Sequence, residues 1–277
     1  MIFLKPASRL LIAGGLFAAS PTLLAHEYWL SPSTSEPMAG EPMSMNIRNG
    51  EEFVGASLSW DEMRFETTEL VSQSSRAPLR GRLGDDPAIT TSLPNEGLYL
   101  FRIDTLAQSL EHENLLDFAS FLRFHDLLNV LLDNPDSAVD GGAVRERYFR
   151  YAKSLVRTSP VSGTRDCVDA SGHPAFDVQG QRLEFIPLML SCDTGDFHLR
   201  VMFDDEVLAE RQIEVYHRSL AGDVTTTLLR TDIDGIVVID TSAVGDYLIN
   251  TVHVISSEDE SSHWDSHWAS LTMSVNE

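Results

Sequence analysis

Basic residues are scarce in this chain. Against 42 Asp and Glu stand 20 Lys and Arg, for a net charge of −22 at pH 7. A surface of that sign repels nucleic acid and anionic membrane and concentrates cations, so no nucleic-acid partner is expected. Solubility is the ordinary reading of such acidity. Cysteine is scarcer still, with only Cys167 and Cys192 present. Two thiolates so far apart lack chelating spacing, which argues against a Cys-only metal site. No apolar run after residue 25 reaches the ~20 residues of a membrane helix, so no anchor is expected there. Gly-x-Ser-x-Gly, His-Glu-x-x-His, a phosphate loop and a dinucleotide fingerprint are all missing. Hydrolysis and phosphoryl transfer therefore have no support, and the default reading is non-catalytic.

What is present starts with a leader. Lys5 and Arg9 precede an apolar stretch from Leu10 to Phe17, and Thr22-Leu23-Leu24-Ala25 runs into His26. Positive end, apolar core and small residue form the order of a secretory signal peptide, with a cut expected after Ala25. A cut after Ala18-Ala19-Ser20 is the alternative; it would leave Pro21 first, a residue poorly suited to threading through a protease. Loss of Lys5 and Arg9, the only charges in 1–25, moves the net charge from −22 to −24. The mature chain is then expected in the periplasm. There an even cysteine pair reads as a Cys167–Cys192 disulfide, and closing that loop stabilises by about 3 kcal/mol.

Periodicity divides the remainder into residues 26–158 and 164–277, joined by Ser159-Pro160-Val161-Ser162-Gly163. The first part reads as short strands at Met43–Arg48, Met63–Leu70 and Leu98–Asp104. Two helices are then expected. One runs from Glu113 to Leu132 and stops before Asn134-Pro135. The other, Val144 to Arg157, has Val144, Tyr148, Tyr151, Ala152 and Leu155 at helical spacing. The second part offers seven strands: Leu183–Leu190, Phe197–Phe203, Gln212–His217, Thr225–Arg230, Ile236–Ile239, Tyr247–Ile255 and His267–Val275. Seven short strands at these spacings predict an antiparallel β-sandwich. In Phe197–Phe203 the alternation turns His198 and Arg200 outward.

Several stretches carry a resemblance. They are His26-Glu-Tyr-Trp-Leu30, Arg147–Val156, Thr231-Asp-Ile-Asp-Gly235, Gly245–His253 and Trp264–Thr272. In order and spacing they resemble an exported bacterial family known as domain of unknown function 4198, whose members are described as periplasmic nickel-uptake-transporter-like proteins. The resemblance implies a mainly β fold: two immunoglobulin-like or transthyretin-like antiparallel β-sandwich domains with a helical insertion between them, at about 113–157. It also implies association with nickel or cobalt transport, hence an uptake transporter as partner. The Asp169–Asp177 stretch around His173 departs from the family pattern, as do Cys167 and Cys192.

If the cut falls after Ala25, His26 gains a free amine beside its imidazole, and one residue offers two nitrogens to a metal. An α-amine titrates at about 7.7–8.0, so binding should weaken below neutrality. Further ligands are expected from His253, on the strand face of Tyr247, Ile249 and Thr251, and from His267, on the face of Ala269, Leu271 and Met273. The ordinary reading of each is a hydrogen-bonded histidine at the core edge. His263 and His267 lie roughly 13 Å apart if both are extended, too far to share one ion. Asp232-Ile-Asp234-Gly235 lacks the distal Glu of a calcium loop and reads as a hairpin turn. Tyr148, Tyr151, Arg150 and Lys153 on one helix would line a groove or bury the two tyrosines. His112, His125, His173, His198 and His217 are taken as structural or surface residues.

Three functions follow. A metal-binding accessory protein would hand nickel, cobalt or a similar ion to an uptake system; affinity order alone favours copper. A copper oxidase or monooxygenase would use a two-histidine brace at His26. A non-catalytic adaptor would bind protein or glycan through Trp29, Trp264 and Trp268.

Overall fold

The computed structural model describes residues 26–133, 142–158, 172–190 and 195–276. The leader with its cut, the 159–163 linker, Cys167 and Cys192 lie outside the described residues. The chain opens with β1 (Glu27–Pro32), β2 (Pro42–Glu51), β3 (Val54–Leu58), β4 (Phe65–Val71) and β5 (Arg76–Pro78). Next come β6 (Ile89–Ser92), β7 (Leu98–Thr105), β8 (Gln108–His112), the helices α1 (Leu115–Phe124) and α2 (Asn129–Asp133), and β9 (Val144–Arg157). The second half holds β10 (Leu183–Leu190), β11 (Asp196–Phe203), β12 (Glu206–Val207) and β13 (Gln212–Arg218). It ends with β14 (Val224–Arg230), β15 (Ile236–Asp240), β16 (Gly245–Ser256) and β17 (Trp264–Val275). The protein is mainly β, as the sequence predicts.

A nine-stranded sheet in the order β14-β13-β16-β17-β9-β7-β4-β5, with β8 also on β9, forms the central layer. It draws strands from both sides of the 158/164 division. Its ladders are antiparallel except where β17 runs parallel to β9. Each face is covered. On one, Leu100, Tyr151, Leu155, Ile249 and Leu271 pack against Phe185, Phe197, Leu199 and Val201 of the sheet β10-β11-β12, to which β15 adds. On the other, Phe101, Ile103, Ala152 and Val156 meet Leu30, Met45 and Ile47 of the sheet β1-β2-β3, to which β6 adds. Helix α1 covers the rest of this second face, laying Phe118, Phe121 and Leu122 on Val252, Val254, Trp264 and Trp268.

The helix expected over Val144–Arg157 is corrected: these fourteen residues form the central strand β9. Arg150 to Val156 are all buried, because β9 is covered on both faces and paired on both edges. A doubly buried strand loses its polar/apolar alternation, and its apolar positions then mimic helical spacing. Tyr148 and Tyr151 point to opposite faces, so the groove with Arg150 and Lys153 does not form. Lys153 is instead buried on Glu184 at 2.6 Å. The helical insertion shortens to α1 and α2. Asn114 starts α1 by accepting from the Leu116 and Asp117 amides, and Asp126, at φ 56°, ends the run expected to reach Leu132.

One turn positions the site. Between β2 and β3, Glu52 and Phe53 both have positive φ, 50° and 66°, the pattern of a tight hairpin. The strands approach so closely there that a Cβ on Gly50 would lie 2.1 Å from the Val54 carbonyl oxygen. Only glycine fits, and Glu51 is thereby fixed at the strand end.

Candidate functional site

Antiparallel pairing of β1 with β2 sets Glu27 opposite Gly50, which brings the preceding residue, His26, to Glu51. Its Nδ1 lies 3.1 Å from Glu51 Oε1, both side chains being partly open to solvent. Beside them is a cavity of about 290 Å³ lined by Glu27, Glu51, Ser120, Phe121, Phe124, His125 and Trp268. Helix α1 supplies the aromatic wall. Phe121 stacks on Trp268 at 5.6 Å, and the His125 ring meets Trp268 at 5.0 Å.

Glu27 is the unusual group. It is only 4% exposed. Its Oε1 accepts from the Tyr216 hydroxyl at 2.8 Å, while Oε2 is buried with no partner among the described residues. Burial, aided by the Glu214 and Glu51 carboxylates, outweighs the Tyr216 bond and an interaction with the residue's own backbone amide and pushes the carboxyl up to about 7. Behind it sits Glu214, bonded to His125 Nδ1 at 2.6 Å and to the Asn250 amide at 2.7 Å. Burial works to raise Glu214, but His125 and these bonds prevail and hold it below the usual range. The Tyr216 hydroxyl, shared between Glu27 and Glu214, is raised by burial and by both carboxylates. An aromatic wall with two carboxylates suits a positively charged ligand.

His253 and His267 lie elsewhere. They sit directly opposite one another on β16 and β17. Their face carries Tyr247, Ile249, Ala269, Leu271 and Met273, whereas β1 lies on the other face, where Ser270 and Thr272 donate to the Tyr28 and Leu30 carbonyls. The sheet therefore separates His26 from the other two. His267 Nδ1 is bonded to the Tyr151 hydroxyl at 3.1 Å, and its ring stacks on Phe149 at 4.8 Å. Arg211 donates to His253 Nδ1 at 3.1 Å. Burial, aided by Arg211, pushes His253 down to about 4; burial, aided by Arg182 and His253, pushes His267 down to about 3. Both are neutral at pH 7, but the adjacent guanidinium groups repel a further cation, so the pair fits a metal poorly. Among the described residues no group of three or more His, Cys, Asp or Glu is disposed to hold a metal ion.

The remaining expectations resolve individually. His263 Nδ1 accepts from the Arg145 amide at 2.9 Å, a structural bond. His112 is buried on Glu146 at 2.6 Å, and His173 Nδ1 accepts from the Ala175 amide. Asp232 Oδ1 accepts from Asp234 and Ile236 amides, making the expected turn. His198 and Arg200 are half-buried on the outer side of β11, as alternation predicts. Trp29, Trp264 and Trp268 are 1%, 1% and 2% exposed, so none offers an open contact ring. Glu27, Glu51, Glu214 and Tyr216 were not visible as site residues in the sequence, and His125 reads there as structural. No spacing links residues 27, 51, 125, 214 and 268; only the topology joins them.

A family profile described as domain of unknown function (DUF4198) matches residues 23–255. No curated protein matches the chain. Among solved structures, a tetra-tandem repeat from the extending region of a large adhesion protein is similar at 11% identity and a TM-score of 0.20, over 90% of this chain and 49% of that one. The chain thus spans about half the length of that neighbour.

Proposed function

The chain belongs to the family described as domain of unknown function (DUF4198), and from that premise we propose that it is an exported, periplasmic accessory protein that binds a divalent transition metal at His26 and serves nickel or cobalt uptake. One observation carries the reading: His26 Nδ1 stands 3.1 Å from Glu51 Oε1. Once the leader is removed after Ala25, the α-amine and Nδ1 of His26 form a histamine-like chelate, and Glu51 adds an oxygen from the same side. Imidazole and amine donors suit nickel, cobalt and copper. The metal is cargo, and the solvent-open rim lets it enter and leave. His253 and His267 take no part, which leaves a two-histidine copper brace without the partners expected for it.

The test uses protein secreted and processed to begin at His26, titrated calorimetrically with Ni(II), Co(II) and Cu(II). Binding should be tight, and it should fall at least tenfold when one alanine precedes His26. Glu51→Gln should weaken it by a smaller factor. Equal affinity with and without the added alanine, or another first residue found by mass spectrometry, overturns the proposal.

A further inference from the structure

We propose that the cavity beside His26 binds a small organic cation, an ammonium group carrying an apolar body. The charge lies between Glu27 and Glu51 and the body rests on Phe124, the exposed ring of a wall that the edges of the buried Phe121 and Trp268 complete. This goes beyond the metal reading, because a bare ion would leave the aromatic wall unused. The first support is Glu27 itself, 4% exposed, with Oε2 buried and lacking a partner among the described residues. A buried carboxyl oxygen without a partner is costly, and an ammonium would supply both the N–H donor and the charge that favours the ionised form. The second is the wall's composition. It holds two glutamates, two phenyl rings and the Trp268 indole; its one basic side chain, His125, is held by Glu214, and no lysine or arginine is among the described lining residues. Aromatic faces beside carboxylates are the established chemistry of ammonium recognition. Third, Phe124 is 66% exposed at the edge of the cavity, a large ring that a ligand would cover. The size, about 290 Å³, lies at the lower end for small-molecule sites, so the occupant is a small amine. A net charge of −22 raises the local concentration of such ions.

The experiment is calorimetric titration of the purified protein in EDTA with 2-phenylethylammonium, and in parallel with 2-phenylethanol and phenylacetate. The ammonium should bind saturably with one site; the alcohol and the acid should not. Glu27→Gln keeps the side chain's shape and its contact with Tyr216, and it should weaken binding about tenfold or more. Phe124→Ala removes an exposed ring without disturbing the core and should weaken it about threefold. No binding, equal affinity for alcohol and ammonium, or an unchanged affinity in Glu27→Gln overturns the inference. EDTA keeps this result separate from the metal titration: ammonium binding that fails while nickel binding persists sinks only this proposal, and the reverse result sinks only the metal reading.

Discussion

Acid should unfold this protein partly through His253 and His267. In the native state the two rings titrate near 4 and 3, whereas in an unfolded chain a histidine titrates near 6.5. Between about pH 6 and 4.5 the unfolded chain therefore holds about one more proton at each position than the native chain. Stability rises with pH wherever the unfolded state binds more protons. The contribution of each ring is complete above pH 6.5 and is lost as the pH falls. The slope is about 1.4 kcal/mol per pH unit per histidine, so one ring contributes about 2 kcal/mol of loss from pH 6 to 4.5. The charged groups around them are Arg211, Arg182, Asp204 and Asp265. Asp204 is held low chiefly by its bond to Arg182, so it keeps its charge through most of that window.

His253→Gln is the cleanest perturbation, since a glutamine oxygen also accepts from Arg211. Urea unfolding at half-unit steps from pH 4.5 to 7 gives free energy against pH for both proteins. Other carboxylates contribute equally to the two curves and cancel in their difference. The variant's curve should be flatter by about 1.4 kcal/mol per pH unit below pH 6. His267→Gln should flatten it by a similar amount, below a baseline lowered by lost stacking on Phe149. Parallel curves for wild type and His253→Gln would refute the reasoning, because they would mean that the native ring takes up its proton as readily as the unfolded one.

Lys153→Met leaves Glu184 buried without its cation, and it should cost about 3–5 kcal/mol, read as a lower urea midpoint; an unchanged midpoint would show the pair to be energetically idle. Gly50→Ala forces a methyl against the Val54 carbonyl and should destabilise by about 1–3 kcal/mol. A thermal melt checks that, and nickel affinity should fall with it because the hairpin carries Glu51. Asn114→Ala removes the two amide bonds at the start of α1 and should cost about 1 kcal/mol by urea unfolding.

Much of the second half was legible because β11 and β15 have one face on the core and one toward solvent, and their alternation survives in the sequence. All seven strands expected there are present, with ends shifted by three residues or fewer. β9 was not legible, for a reason particular to it. Its charged side chains are partnered by residues distant in sequence, Glu146 by a hydrogen bond to His112 and Lys153 by its pair with Glu184. Nothing local marks those charges as buried, so the stretch read as an amphipathic helix. The site was legible only in its first residue. His26 was singled out by the leader-like sequence pattern ahead of it, but Glu51 joins it through a hairpin register and His125 through the end of α1.

The parity of one strand explains why His26 and His267 part company. In β17 the odd residues His267, Ala269, Leu271 and Met273 turn to the core shared with β10 and β11, and the even residues Trp268, Ser270 and Thr272 turn to α1 and β1. A strand permits no other arrangement, since neighbouring side chains must leave by opposite faces. Trp268, one residue from the expected ligand, is therefore the member of this strand that reaches the cavity beside His26. Burial then sets the chemistry on each side. On the first face, two imidazoles among guanidinium groups are kept neutral. On the second, carboxylates stand against aromatic rings, with a buried Glu27 oxygen unpaired among the described residues. The side of the sheet proposed here to take a cation is thus the one without the paired histidines.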